Sequence, residues 1–334
     1  MILGLVAASV ALIALVALFF LFLHLPNASS SPDNPPESNI ASSPQSRVTA
    51  LNRHRSPPDP LGQPGTGCTA PLTADRIGPY ELEKEIQPII DGWTSLTYLA
   101  APQSGGPQVV LKLANRLEPV AKRLEVEREI YSLGLAGVPR LLDAGSDAGF
   151  DYIITERVHA ADLRTHVDRN GVFNETEAGA IGLQVCESME ALHYHQWLHC
   201  DLTPANLLID KQARAYLIDF GLAVKFGADG PAGISGTPSF LSPEIINQAP
   251  LVPSSDIYSF GCVLYFMLTG QKPYSGNTSI ETLWKQSKGR LPQFPSDLPI
   301  SQPMQELVHR CLLKDPADRP KSFGELKQLL KGFS

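Results

Sequence analysis

Cysteine is scarce in this sequence. There are five among 334 residues, an odd number, and no two of them form a Cys-x-x-Cys pair. A disulfide framework needs an even set of cysteines, and a structural zinc site needs closely spaced ones. The sequence therefore argues against both kinds of scaffold and favours a reducing compartment.

Basic residues are also few, since 27 Lys and Arg are outnumbered by 34 Asp and Glu, for a formal net charge of −7. A nucleic-acid-binding domain usually shows a basic excess or a basic stripe, so we expect no nucleic-acid partner. The hydrophobic fraction of 43% in 334 residues is enough to bury the core of one large domain or of a two-lobed one.

The N-terminus carries a long apolar run, Ile2 to Leu25, without Asp, Glu, Lys or Arg. As a helix rising about 1.5 Å per residue it would extend roughly 36 Å, against about 30 Å of membrane hydrocarbon. Residues 1–25 are therefore predicted to form a transmembrane helix, with residues 2–25 in the membrane. A cleaved signal peptide is the alternative, because the small polar stretch Asn27-Ala28-Ser29-Ser30 comes next. The length of the run and the lack of a basic segment before it favour a retained anchor.

Residues 26–76 are rich in Pro and Ser. Such a segment cannot bury enough apolar surface to offset its ordering entropy, so a disordered linker is predicted. Arg47, Arg53 and Arg55 have few acids nearby, which favours a cytoplasmic location for the C-terminal side of the span. Asn-x-Ser/Thr triplets such as Asn174-Glu175-Thr176 would be glycosylation acceptors only on the opposite side.

Two polar motifs lie close together in the second half of the chain, His199-Cys200-Asp201-Leu202-Thr203-Pro204-Ala205-Asn206 and Asp219-Phe220-Gly221. The apolar runs 207–209 and 216–218 between them predict a short hairpin that brings both acids to one edge. Mg²⁺ prefers oxygen ligands, and a hydroxyl nucleophile needs a carboxylate within hydrogen-bond reach. Either aspartate alone could equally be a turn residue, so the order and completeness of the pattern carry the prediction.

These motifs, together with the later Ser242-Pro243-Glu244, resemble the signature set of the protein kinase family in order and spacing. The resemblance implies that Asp201 is the catalytic base and that Asn206 and Asp219 hold Mg²⁺ on the phosphates of ATP. It also implies an α+β, two-lobed fold over residues 77–334. The N-lobe (77–157) should be small and β-rich, and the C-lobe (158–334) larger and mainly helical.

In the first lobe, Val109-Val110-Leu111-Lys112 resembles the family's Val-Ala-Ile-Lys strand, with Val110 and Lys112 beside the nucleotide. By its spacing to Gly137-Val138-Pro139, Glu129 is interpreted as the helix glutamate that pairs with Lys112. The neighbouring glutamates, Glu125 and Glu127, are assigned to a solvated face.

The nucleotide-binding loop and the hinge complete the implied ATP site. The loop falls on residues 90–95, with Ile90, Gly92 and Ser95 contacting ATP, and only its middle glycine is kept. A left-handed backbone costs a residue other than glycine about 1 to 2 kcal/mol, so weak ATP binding is expected. In the hinge, the carbonyl of Glu156 and the amide of Val158 would bind adenine, with Thr155 behind it.

Two residues of the catalytic loop depart from the family pattern. Cys200 replaces the arginine that receives an activation-loop phosphate, which predicts activity that does not depend on loop phosphorylation. Thr203 stands where serine/threonine-specific members carry lysine, which predicts a slower chemical step. Asp256 should support the catalytic loop, and Arg319 should pair with Glu244.

The resulting interpretation is an ATP-dependent kinase that phosphorylates serine and threonine hydroxyls of protein substrates, since Gly236-Thr237-Pro238-Ser239-Phe240 resembles the docking stretch of that class. The alternative is a membrane-tethered pseudokinase that acts as a binding scaffold. Its support is the eroded glycine loop together with Thr203. A serine hydrolase is disfavoured because no Gly-x-Ser-x-Gly motif is present.

Overall fold

The computed structural model of the protein describes residues 75–87, 96–116, 120–228 and 236–333, all within a unit that runs from Pro58 to Ser334. The predicted membrane span at residues 2–25, nearly all of the linker and the loop containing Ile90, Gly92 and Ser95 lie outside these ranges. Among the described helices, none is both long enough and apolar enough to cross a membrane.

The first lobe is built on an antiparallel sheet of six strands in the order β1-β2-β3-β4-β6-β5. The strands are β1 (Arg76–Ile77), β2 (Tyr80–Gln87), β3 (Leu96–Pro102), β4 (Val109–Asn115), β5 (Leu141–Asp147) and β6 (Phe150–Glu156). Leu111 and Leu113 of β4 are buried with Ile154 of β6 in a small core. Helix α1 (Val120–Ser132) packs beside β4 and β6.

Helices dominate the second lobe, as the resemblance predicted. They are α2 (Leu163–Asn170), α3 (Glu175–Tyr194), α4 (Pro243–Ile246), α5 (Pro253–Thr269), α6 (Ser279–Lys288), α7 (Gln302–Cys311) and α8 (Phe323–Leu330). Helix α3 begins at a capping box, in which Asn174 and Glu177 bond each other's backbone N–H at 3.0 Å. Every residue of α5 after Pro253 is buried, so this helix forms the centre of the lobe.

The second lobe also contains several short strands. β7 (Ala160–Asp162), β9 (Leu207–Asp210) and β10 (Ala215–Leu217) form one sheet, while β8 (Trp197–Leu198) pairs with β11 (Val224–Lys225). The antiparallel pairing of β9 with β10 confirms the hairpin predicted between the two polar motifs.

A buried ion pair joins two distant positions of the second lobe. Arg319 is fully buried, and its Nη1 and Nη2 donate to the Glu244 carboxylate at 2.7 and 2.9 Å. The same guanidinium donates to the carbonyls of Ser254, Leu313 and Lys314. With its donors satisfied, the charge is compensated within the core, and the predicted pair is confirmed.

Candidate active site

The loop after β8 is held in place by the carboxylate of Asp256. Asp256 of α5 accepts the backbone N–H groups of His199 and Cys200, each at 2.9 Å, and its Oδ2 lies 2.8 Å from Nε2 of His193. Burial opposes ionisation, but these hydrogen bonds and the imidazole lower the pKa of Asp256 below its ordinary value. The predicted supporting role of Asp256 is confirmed.

Cys200 adopts a left-handed backbone conformation, with φ of 64°, which costs a residue other than glycine roughly 1 to 2 kcal/mol. Its bond to Asp256 holds this conformation in place. The side chain is 3% exposed, and burial raises the pKa of the thiol well above its usual range. Cys200 therefore contributes neither charge nor a reactive thiolate at this position.

Asp201, the predicted base, is bound by the carboxamide of Asn206. Nδ2 of Asn206 donates to Oδ2 of Asp201 at 3.0 Å and to its carbonyl oxygen at 2.9 Å, and the Thr237 N–H donates to Oδ1 at 3.4 Å. Burial and the nearby negative charge of Asp219 raise the pKa of Asp201 to about 7. A general base works best when its pKa lies near the working pH, so this carboxylate is suited to accept a proton.

Thr203 is also buried, at 3% exposed, and its carbonyl accepts the N–H of Asn206 at 3.1 Å. In this structure it shapes the turn that carries Asn206.

Lys112, Glu127 and Asp219 form a buried charge cluster at the other side of the site. Nζ of Lys112 lies 2.7 Å from Glu127 and 3.2 Å from Asp219. Burial disfavours the ammonium, but the two carboxylates outweigh that effect and raise the pKa of Lys112. Burial also shifts the pKa of Glu127 upward from its ordinary value, although the Lys112 ammonium opposes this shift.

The prediction that Glu129 pairs with Lys112 was wrong. Glu127, which was assigned to a solvated face, is 2% exposed and makes the pair, whereas the Glu129 side chain is 55% exposed and contacts Lys225 at 3.0 Å. Residues two apart on an α-helix point about 200° apart, so both glutamates cannot face β4.

The pattern of buried residues in α1 identifies the correct glutamate, whereas the spacing to Gly137 does not. The buried positions of α1 are Val120, Leu124, Glu127, Ile130 and Tyr131. They recur at the helical period of three and four residues, and this stripe passes through position 127 and misses position 129.

Tyr131 is a site residue that the sequence reasoning missed. Its ring packs edge-on against Phe220 with centroids 5.3 Å apart, and its hydroxyl accepts the N–H of Asp219 at 3.4 Å. Phe220 is fully buried and also lies 5.1 Å from the ring of His199. These contacts fix Asp219, whose φ of 66° is left-handed, next to Lys112. Position 131 lies one helical turn after Glu127, so a correct assignment of Glu127 would have found it.

A cavity of about 1010 Å³ opens beside this cluster. It is lined by residues of β3, β4 and β6 from the first lobe and by residues of β7, α2 and β9, together with Asp219. The predicted residues Val110, Thr155, Glu156 and Val158 all line it, and Val110 shares a strand face with Lys112 because side chains alternate. Thr97, Leu99, Ile153 and Leu208 also line it and were missed. Nothing in their apolar or β-branched character distinguishes them from core residues.

The two polar motifs are joined through the backbone, since the Ile218 N–H donates to the carbonyl of Asn206 at 3.0 Å. Because Nδ2 of Asn206 is bound to Asp201, its Oδ1 is the atom that could act as a metal ligand together with the Asp219 carboxylate. Two oxygen ligands fit Mg²⁺, which usually completes its shell with water and phosphate. In the described ranges no group of three or more His, Cys, Asp or Glu could hold a metal alone.

Comparison with known proteins places this geometry in context. Residues 84–331 match the family model of the protein kinase domain. The chain is 29% identical to serine/threonine-protein kinase PLK4 of Danio rerio, over 69% of this chain and 25% of that protein. It is 29% identical to the probable serine/threonine-protein kinase CE0033 of Corynebacterium efficiens, over 76% of this chain and 41% of the relative. It is 33% identical to the probable serine/threonine-protein kinase PknB of Corynebacterium glutamicum, over 52% and 29% respectively. The chain thus spans between a quarter and about two fifths of the length of these relatives.

Proposed function

This chain belongs to the protein kinase family, and on that premise we propose that it transfers the γ-phosphoryl group of Mg-ATP to serine and threonine hydroxyls of protein substrates. The contacts of Lys112 carry the proposal, because its Nζ touches Glu127 at 2.7 Å and Asp219 at 3.2 Å. Kinase chemistry needs both the lysine–glutamate pair and the metal-binding aspartate in position. One ammonium group contacts both carboxylates here.

The cavity beside Lys112 is the proposed nucleotide site. Glu156 and Val158 would bind adenine through the backbone, and Lys112 would orient the phosphates. Asn206 and Asp219 would hold Mg²⁺, which when bound offsets the phosphate charge during transfer. The weak ATP affinity expected from the 90–95 loop remains a prediction.

Asp201 would take the proton of the attacking hydroxyl. Its pKa of about 7 allows a large fraction to be ionised at neutral pH and still leaves a useful proton affinity. The Asn206 carboxamide, bonded to Oδ2, orients the carboxylate and leaves Oδ1 for the substrate side, where the Thr237 N–H also lies at 3.4 Å. In the absence of a lysine at position 203, the transferring group meets one cation fewer, and we expect a slower step than in members that carry it.

We also propose that activity does not require phosphorylation of the activation segment. The buried, uncharged Cys200 cannot bind a phosphate as arginine does. Phosphatase treatment of the purified protein should therefore leave its turnover unchanged. Loss of most of the turnover would contradict this part of the proposal.

The proposed location is a membrane, with a single span at residues 2–25 and the kinase domain on the cytoplasmic side, where ATP is abundant. Carbonate extraction should leave the chain in the membrane fraction. Protease added to sealed, inside-out vesicles should digest the kinase domain. Release by carbonate, or full protection in such vesicles, would contradict the span or its orientation.

The direct test of the activity is incubation of the full chain, in detergent, with Mg²⁺, γ-labelled ATP and a mixture of protein substrates. Label should appear on phosphoserine and phosphothreonine, and it should disappear in EDTA and in Asp219→Asn. Wild-type transfer no greater than that of the variant would refute the kinase activity, and label found only on tyrosine would refute the specificity.

A further inference from the structure

A second ion pair joins the first lobe to the chain beyond the Asp219 motif. Oε1 of Glu129 on α1 lies 3.0 Å from Nζ of Lys225 on β11. The same ammonium stands over the ring of Trp197, 4.0 Å from its centroid. Lys225 is thus held by a carboxylate from one lobe and an aromatic ring from the other.

The position of Lys225 in the chain connects this contact to the active site. β11 pairs with β8 in the register Lys225 to Trp197 and Val224 to Leu198. β8 leads directly into His199 and the catalytic loop, and β11 begins a few residues after Asp219. A group that holds Lys225 is therefore linked to both motifs of the active site.

Helix α1 is consequently fastened on two sides. Glu127 faces inward to Lys112 at 2.7 Å, and Glu129, about 200° further round the helix, faces outward to Lys225 at 3.0 Å. Rotation of the helix that would withdraw Glu127 from Lys112 would also displace Glu129 from Lys225. The outer contact thus opposes the motion that would break the inner one.

We infer that Glu129 and Lys225 are positioning residues, which hold α1 against β11 so that Glu127 stays on Lys112. The inference rests on the proposed kinase function for its meaning but not for its test. It also explains how α1 can be held without a phosphate. Cys200 supplies no charge, and the anion that holds Lys225 is a carboxylate of the chain itself.

The contribution of this ion pair depends on how far its two side chains are exposed to solvent. The Glu129 and Lys225 side chains are 55% and 46% exposed, and such pairs contribute modestly and are weakened by salt. Reversing one charge should therefore lower kcat/KM for ATP by about three- to fivefold. The melting temperature and the KM for the protein substrate should stay at the wild-type values, because neither residue belongs to the core or touches the hydroxyl acceptor.

The experiment compares the full-length wild type with Glu129→Lys, Lys225→Glu and the double exchange, in detergent. The exchange restores opposite charges but not the contact of a cation with Trp197, so kcat/KM should rise above that of either single reversal without fully reaching the wild-type value, since the two effects are coupled. Glu190→Lys is the matched control. Glu190 is a partly exposed glutamate of the second lobe whose carboxylate lies 2.6 Å from Nζ of Lys327. Reversal of its charge should leave kcat/KM unchanged.

Hydrogen exchange of the Val120–Ser132 amides gives a readout that does not need activity. Exchange should be faster in each single reversal than in wild type and should slow again in the double exchange. If wild type transfers no phosphate, the proposed function fails while this comparison still decides the inference. Equal exchange in all four proteins, or a double exchange no better than the worse single reversal, would overturn it.

Discussion

Replacing Glu127 by glutamine removes the charge that faces Lys112 while keeping the shape of the side chain. The pair is buried, with side chains 3% and 11% exposed and the charged atoms 2.7 Å apart. Breaking a buried pair typically costs about 3 to 5 kcal/mol. Here Lys112 keeps a second carboxylate, Asp219 at 3.2 Å, so we expect a smaller loss of about 2 to 3 kcal/mol in transition-state stabilisation. That loss corresponds to about a 30- to 150-fold decrease in kcat/KM for ATP.

The matched variant is Glu129→Gln, two residues further along the same helix. Its pair with Lys225 is solvent-exposed, so the loss in kcat/KM should be no more than about fivefold. The assay measures ADP release at varied ATP with a saturating protein substrate, and the melting temperature confirms that both variants fold. A larger loss for Glu129→Gln than for Glu127→Gln, or equal losses, would refute the assignment of Glu127 to Lys112.

Three further outcomes are expected. First, kcat/KM should fall about tenfold per unit as pH drops below about 7, because Asp201 must be ionised to act and its pKa is about 7. The kcat profile should break at a lower pH, since bound Mg²⁺ weakens the repulsion from Asp219, and coincident breaks would argue against Asp201 as the base. Second, Asp201→Asn should lower kcat by about 10² to 10⁴. It should also raise the metal-free unfolding free energy by about 1 to 2 kcal/mol at pH 8 and by less at pH 5. The sign is positive because burial raises the folded pKa of Asp201, so the wild type loses stability as pH rises toward 7, and a destabilised variant in thermal melts would contradict it. Third, Arg319→Ala should cost about 3 to 5 kcal/mol of stability by leaving Glu244 buried without its partner, and a melting temperature within one or two degrees of wild type would contradict it.

The site residues of the second lobe were predictable because they lie only a few residues apart in the sequence. Asp201 and Asn206 are five residues apart in one turn, and their relation to Asp219 is set by a hairpin whose two strands are visible as apolar runs. The Glu244–Arg319 pair joins distant positions, and it was accessible only through the family resemblance. Local spacing and resemblance together therefore placed most of the site.

The site residues of the first lobe were predicted less well because they lie on elements joined by loops whose lengths the sequence pattern does not fix. The assignment of Glu129 was based on its distance in sequence from Gly137, and a loop lies between these two positions. The spacing of the buried residues within α1 instead identifies Glu127. Tyr131 was missed together with Glu127, because it lies one turn further along the same buried face of α1, whereas Leu99 was missed for another reason. A sequence shows that such residues are apolar enough for a core, but only the fold shows that the core has a cavity beside it.

The measurement closest to the central claim is a crystal structure of the kinase with Mg²⁺ and a non-hydrolysable ATP analogue. We expect adenine at the backbone of Glu156 and Val158, phosphate oxygens at Lys112, and Mg²⁺ bound by Asp219 and Asn206. A cavity that stays empty at saturating nucleotide, or a nucleotide and metal bound away from these residues, would contradict it.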